Sequence, residues 1–192
     1  MMVSFKKVSW VLDADLKGFF DNIDHACLLG FIRRRISDER VVKLISSWLT
    51  AGIMDGHTRK KSEVGTPQGA VISPFLANIY LHYALDKWVV EWRLHEARGE
   101  VYIVRYADDF VMGFQYRDDG ERFKRAAEKR LGDVKLSFNT DKTHLIEFGR
   151  FAKSNREQRG VGKPKSFDFL GFTHIFSIRR DNGKFKLIVM VK

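Results

Sequence analysis

The sequence predicts an α+β domain in which an antiparallel sheet is covered by helices. Three observations carry this. Short stretches of two-residue apolar alternation are mixed with stretches of helical periodicity. Several strand-like stretches are joined by hairpin turn signals, which favours antiparallel pairing. The 192-residue chain is 44% hydrophobic, with sixteen Phe and only three Pro, which supplies a real core and excludes a disordered chain.

"SWVLDADLKGFF" (9–20) starts as a strand and ends in a turn at Gly18. Alternation sets Val11, Asp13 and Asp15 on one face, and Leu12, Ala14 and Leu16 on the other. Residues 24–36 and 38–52 read as amphipathic helices, with Asp24 and Asp38 as N-caps and Gly52 as a stop. Residues 53–65 read as a polar hairpin turning at Asp55-Gly56. After the loop "TPQGAVISP" (66–74), residues 75–95 form one long helix, apolar around most of its circumference. Phe75, Ile79, Leu81, Tyr83, Leu85, Trp88 and Val89 should therefore be buried.

Residues 101–106 and 109–115 are strands, and 118–133 is an amphipathic helix. "KLSFN" and "HLIEFG" are strands flanking "TDKT" (140–143). Residues 150–166 read as a mobile basic loop. The tail, 167–192, reads as strands with Asn182-Gly183 as a hairpin turn. We expect one domain over 1–192.

The net charge of +10 favours a polyanionic partner, with nucleic acid ahead of a membrane surface. Cys27 is the sole cysteine, so no disulfide can form within the chain, which fits a reducing cytoplasm. No apolar run is long enough to span a bilayer, and no membrane partner is expected.

The stretch "VRYADDFVMGF" (104–114) sets Asp108 and Asp109 side by side between apolar strands. Paired carboxylates there cost desolvation and mutual repulsion unless a cation compensates. That cation is a Lys or Arg in a structural pair, or a metal. Asp is also common in turns, so the pair alone is weak evidence. With Asp15 or Asp13 from a neighbouring strand, the acids would form an all-oxygen site suited to Mg²⁺. Two such ions, roughly 3.5–4 Å apart, activate an attacking hydroxyl and stabilise a leaving pyrophosphate.

"YADD" (106–109) resembles the signature tetrapeptide of reverse transcriptases. "DADLKGFFDNIDH" (13–25), "GTPQGAVISPFLANIYL" (65–81), "LSFNTDKTHLIEFG" (136–149) and "FDFLGF" (167–172) are similar, in order, to successive motifs of the group II intron reverse transcriptases. The resemblance implies a polymerase palm, a ferredoxin-like antiparallel sheet backed by helices, with partial fingers elements. It implies RNA-directed DNA polymerisation with two Mg²⁺ ions as cofactors. The partners would be an RNA template, a DNA primer and a dNTP, with intron RNA a further candidate.

By this match Asp15, Asp108 and Asp109 are the metal-binding carboxylates, and the Leu16 carbonyl adds a ligand. Asp13 is a supporting or surface acid, while Asp21 and Asp24 cap the following helix. Gly18 and Phe19 lie under the triphosphate. Phe20 falls at the aromatic steric gate against the sugar 2′-OH, where the alternative role is core packing. Gln68 and Gly69, after Pro67, match the loop beneath the incoming nucleotide. Lys142 matches a lysine near the triphosphate, with a plain surface lysine as the alternative. Tyr106 packs beside the template–primer end, and Leu170 and Gly171 match the primer-grip turn. His25 and His144 are local hydrogen-bonding residues.

Only 14 residues precede Asp15, too few for the family's upstream fingers motifs, and the chain ends soon after the primer-grip motif. The expectation is a palm-centred piece, incomplete at both ends and impaired in synthesis on its own. The rival reading is a non-catalytic RNA-binding or maturase-like remnant assisting intron splicing. An RNA-templated RNA polymerase is more distant, because "YADD" and Phe20 argue against it.

Overall fold

A computed structural model describes residues 7–50, 53–55, 58–60, 64–66, 71–179, 181 and 183–192. In chain order the elements are β1 (Trp10–Ala14), a 3₁₀ turn (Phe19–Asp21), α1 (His25–Arg33), α2 (Glu39–Thr50), β2 (Ile53–Asp55), β3 (Thr58–Lys60) and α3 (Ser73–Leu81). A π-helical turn (His82–Asp86) leads into α4 (Lys87–His95). Then come β4 (Val101–Tyr106), β5 (Asp109–Phe114), α5 (Arg117–Asp133), β6 (His144–Glu147), α6 (Ala152–Gln158), β7 (Phe167–Phe169), β8 (Phe172–Ile178) and β9 (Phe185–Val191). The chain divides into two compact units. The first comprises Met1–Asp15, Trp92–Ala127 and Phe138–Lys192; the second comprises Leu16–Glu91 and Glu128–Ser137.

In the first unit β4, β5, β1 and β6 lie side by side in that order, every neighbouring pair antiparallel. With helices between β1 and β4 and between β5 and β6, this is the β-α-β-β-α-β order of a ferredoxin-like sheet. Alternation along β1 separates two cores, as the sequence predicts. Val11 joins Val8, Val111, Ile146, Phe148 and Phe167, against which Phe169, Phe176, Phe185 and Leu187 of the β7–β8–β9 sheet pack. In the core that α5 covers, Phe123 lies 5.6 Å from the Phe114 ring and 5.0 Å from the Trp92 ring. Gly120 allows α5 to lie close, since a Cβ there would sit 2.8 Å from Leu145 Cδ1.

Asp119, on the first turn of α5, is fully buried. It accepts hydrogen bonds from the Arg98 and Gly99 backbone N–H groups at 3.2 and 2.9 Å, and its Oδ1 lies 2.6 Å from Arg122 Nη2. A buried carboxylate is tolerated only with such compensation.

In the second unit α1 and α2 start where their caps predict. Asp24 Oδ1 accepts from the Cys27 N–H at 2.8 Å, and Asp38 Oδ1 from the Arg40 N–H at 2.9 Å. β2 and β3 pair as the expected hairpin, Asp55 opposite Thr58. Gly52 and Gly56 lie outside the described residues. The long helix is not one uninterrupted α-helix. The π-helical turn interrupts it, and Arg130 donates to the carbonyls of Tyr83 and Ala84 there, at 3.1 and 3.0 Å. A π-turn shifts the backbone ladder by one residue, and a guanidinium fork can reach the carbonyls it leaves. Tyr80, fully buried, donates its hydroxyl to the Val134 carbonyl. Phe75, expected inside, is exposed. An all-round apolar pattern does not say which flank is covered.

Two further expectations change. "KLSFN" forms no full strand: Lys135 adopts a positive φ of 60° just after α5, and the Ser137 carbonyl and Asn139 N–H pair with Lys17 and Asp15, respectively. Within 150–166, read as a loop, Ala152–Gln158 is helical. Glu147, buried on β6, holds it: Asn155 donates to its Oε1 at 3.2 Å, and Arg159 pairs with its Oε2. Arg156 then donates to the carbonyls of Val161 and Gly162, folding the next residues back. Composition indicated a basic surface, but it did not show that half of these cations are engaged locally. At the other end, β8 and β9 form the expected hairpin, with Gly183 at φ 66°.

Removing the Asp119 carboxylate leaves the Arg98 and Gly99 backbone donors without that acceptor and takes one of its partners from Arg122, which keeps the Glu96 carbonyl. Asp119→Ala should lower unfolding stability by about 3–5 kcal/mol, read by urea denaturation.

Candidate active site

The acids reach one place through strand pairing. Ala14 at the end of β1 lies opposite Phe110 of β5, so one more residue of the same register sets Asp15 against Asp109. Tyr106 pairs with Asp109 across β4 and β5, leaving Ala107 and Asp108 as a two-residue loop. Ala107 has φ 53°, and Arg105 Nη1 donates to its carbonyl at 2.7 Å. Positive φ at the first loop position alone has the φ pattern of a type II′ hairpin, costly for a residue with a Cβ.

A second polar segment closes on Asp15 from residues 139–143. The Asn139 N–H donates to the Asp15 carbonyl at 2.8 Å, and the Asn139 side chain accepts from the Asp141 N–H at 3.2 Å. Lys142 Nζ lies 3.8 Å from Asp15 Oδ2. The third contributor is the turn between β7 and β8. Phe169 pairs with Phe172, and Leu170 and Gly171 both have positive φ, 51° and 75°, as a type I′ hairpin requires.

Together these segments enclose a cavity of about 490 Å³. Its walls include Asp13, Asp15, Asp109, Asp141, Lys142, His144, Asp168, Leu170, Gly171 and Lys192. Asp168 lies 2.8 Å from Lys192 Nζ and accepts from the Thr173 hydroxyl at 2.6 Å, and these contacts hold its carboxyl below its usual range.

The acids nearest Asp15 are strained electrostatically. Burial raises Asp13 to about 6, helped by repulsion from Asp168, Asp109 and Asp15 and opposed by His144 opposite it on β6. Asp109 is raised too, first by desolvation, then by Asp108 and Asp15, with Lys142 opposing. The protein's own cations therefore do not neutralise this cluster. Its oxygen-only donor set fits a hard divalent cation such as Mg²⁺. Among the described residues no three His, Cys, Asp or Glu converge closely enough to hold an ion by themselves.

Of the residues singled out in the sequence, Asp15, Asp109, Lys142, Leu170 and Gly171 share this cavity. Asp108 neighbours it and acts on Asp109, while Tyr106 is exposed at the strand end. Leu16, Gly18, Phe19 and Phe20 belong to the second unit. There Gly18 opens the 3₁₀ turn at φ 52°, Phe19 is buried, and Phe20 is half-buried with its ring 5.2 Å from Phe19. The Phe20 carbonyl accepts from the Thr66 N–H at 2.9 Å, and the His25 ring nitrogen lies 2.6 Å from the Gly65 carbonyl. Gly65, at φ 85°, has room for no Cβ, which would lie 2.9 Å from the Phe20 oxygen. Pro67, Gln68 and Gly69 lie outside the described residues. Asp13, taken as a supporting or surface acid, is half-buried in the cavity wall, and His144 lines it as well. Asp168 and Thr143 were not singled out. Both sit inside quoted motifs, but no spacing rule marks them.

The family described as reverse transcriptase (RNA-dependent DNA polymerase) matches residues 2–174. The group II intron-encoded protein LtrA of Lactococcus lactis subsp. cremoris is 44% identical over 90 residues, 47% of this chain and 15% of that protein. Protein YkfC of Escherichia coli K12 is 33% identical over 165 residues, 71% of this chain and 43% of that one. The chain thus spans less than half the length of either relative. Among solved structures, telomerase from Candida tropicalis in complex with a fragment of telomeric RNA aligns with a TM-score of 0.65 at 16% identity. The alignment covers 86% of this chain and 28% of that one, a likeness of fold.

Asp13 yields a pH dependence of stability in metal-free buffer. Its folded-state value near 6 exceeds the ordinary 3.8, so the folded protein binds the proton more readily between those values. Asp13 therefore favours folding most below pH 4, and that contribution is lost as pH rises to 6. Asp13→Asn should accordingly match the wild type near pH 4 and melt higher above pH 6. Parallel thermal melts across that range check this.

Proposed function

This chain belongs to the reverse transcriptase (RNA-dependent DNA polymerase) family, and from that membership we propose that its cavity is the nucleotidyl-transfer site of an RNA-templated DNA polymerase of group II intron type. The observation that carries this reading is the meeting of Asp15, Asp109 and Lys142 at one cavity wall, built by three separated segments. In the reaction a primer 3′-OH attacks the α-phosphate of a dNTP and pyrophosphate leaves. Asp15, Asp108 and Asp109, with the Leu16 carbonyl, would hold two Mg²⁺ ions. When bound, the ions supply charge for the developing phosphorane oxygens and lower the pKa of the attacking hydroxyl.

The protein's own residues bind and orient. Lys142 faces the departing pyrophosphate as a cation and proton donor. Gly18 and Phe19 present backbone N–H groups to phosphate oxygens. By their resemblance to the family motif, Gln68 and Gly69 are assigned to nucleotide binding. Tyr106, Leu170 and Gly171 seat the template–primer end. Tyr106, 69% exposed, has its ring free for a base or sugar. The partners under this reading are an RNA template, a DNA primer and a dNTP, with intron RNA a further candidate.

Primer extension on an RNA template with Mg²⁺ and dNTPs tests this. It is run with the chain alone and with the chain joined to the N-terminal segment of a relative. Extension by the joined form that falls at least about 100-fold in Asp108→Asn/Asp109→Asn supports the proposal. RNA binding without extension in either form favours the non-catalytic RNA-binding reading instead. In the active form, Phe20→Val should raise ribonucleotide incorporation relative to dNTP; unchanged sugar discrimination removes the gate role from Phe20.

A further inference from the structure

One buried hydroxyl lies against the acid on which the proposed chemistry turns. Thr143 is 2% exposed. Its Oγ1 lies 3.3 Å from the Asp15 backbone nitrogen and 3.4 Å from the Asp15 backbone oxygen. A hydroxyl has one proton to give and two lone pairs, so Thr143 can accept from the Asp15 N–H and donate to its carbonyl. The carbonyl accepts from the Asn139 N–H as well. Asp15 is the residue just past the end of β1, and residues 139–143 take up both of its backbone polar groups.

That segment is also closed on itself. The Asn139 carbonyl accepts from the Lys142 and Thr143 N–H groups at 3.2 and 2.9 Å. Lys142 is therefore carried on the same rigid loop whose threonine grips Asp15, and its Nζ stands 3.8 Å from Asp15 Oδ2.

We propose that Thr143 is a positioning residue: its hydroxyl clips the Asp15 backbone to the Lys142 loop, fixing the carboxylate that receives a divalent cation and the lysine beside it. This rests on the reading of Asp15 as a metal-binding carboxylate. The choice of residue is specific. A β-branched side chain has few rotamers, so a buried threonine holds its hydroxyl in one direction while its methyl fills space. Valine keeps that shape and loses both hydrogen bonds; serine keeps the hydroxyl.

Mn²⁺ titration of the chain, followed by electron paramagnetic resonance, tests the proposal in wild type, Thr143→Val, Thr143→Ser and Asp15→Asn. Thr143→Val should weaken Mn²⁺ binding by about 10-fold, in the range of losses from residues that orient metal ligands. Thr143→Ser should bind close to wild type. If Thr143→Val binds as wild type does while Asp15→Asn is weakened, the role of Thr143 is overturned and the reading of Asp15 stands. If Thr143→Ser is as weak as Thr143→Val, the hydroxyl is not the cause and the proposal falls. If Asp15→Asn binds as tightly as wild type, both fall. Should the valine variant fail to fold, hydrogen exchange decides. The Asp15 amide should be protected in wild type and in Thr143→Ser, and an unprotected amide in wild type overturns the clip.

Discussion

The antiparallel pairing of β1 with β5 carries the organisation of the first unit. It sets the last residues of β1 beside the first residue after the Ala107–Asp108 loop, forcing carboxylates together at the sheet end. Like charges would separate if the backbone could yield. Here the ladder continues behind them into Val11, Leu12, Val111 and Met112, all buried and packed on both faces. Each such side chain contributes about 1.5–3 kcal/mol on burial. Sliding the register by one residue would exchange the two faces and disrupt both packed sides, so the acids stay together, and burial first, then their repulsion, raises Asp13 and Asp109.

Two of the three non-glycine residues with positive φ among the described residues stand at the same place. Ala107 and Leu170 both hold positive φ without being glycine, and both stand in two-residue loops next to the acids. Each conformation costs on the order of 1–3 kcal/mol and persists where surrounding structure over-determines it. The β4–β5 ladder and the β7–β8 pairing supply that constraint. Elsewhere in these hairpins a side chain in that conformation would have no compensation. At the cavity, tight loops bring backbone and small side chains close to whatever enters.

Buried polar groups show the same economy. Asp119, Glu147 and Thr143 are all withdrawn from water, and each binds more than one polar group. Asp119 fixes the entry into β4, Glu147 fixes α6 on the sheet, and Thr143 fixes residues 139–143 against β1. In each case a side chain, rather than a ladder, satisfies backbone or charged groups where regular structure stops.

Much of this was readable in the residues alone. Alternation in "WVLDA" assigned Val11 and Asp13 to one face, because a strand's period of two is rigid. Asp24 and Asp38 marked their helix starts, because capping is local chemistry. The motifs singled out Asp15, Asp109, Lys142 and the Leu170–Gly171 turn, which line one cavity, but not Asp141 or Asp168. Other features depended on residues distant in sequence. The π-turn in the long helix goes with Arg130, more than forty residues away, and α6 depends on a glutamate on β6. The burial of Asp13 and the grip of Thr143 on Asp15 follow from pairing across |i−j| of 128 and similar separations. Periodicity, capping and turn chemistry act over a few residues, so most strands, the helix starts and the hairpin turns were legible in the sequence alone. How close those acids stand, how far burial raises them, and which hydroxyl holds Asp15 were decided by tertiary structure, because charge repulsion and desolvation depend on distance in space rather than along the chain.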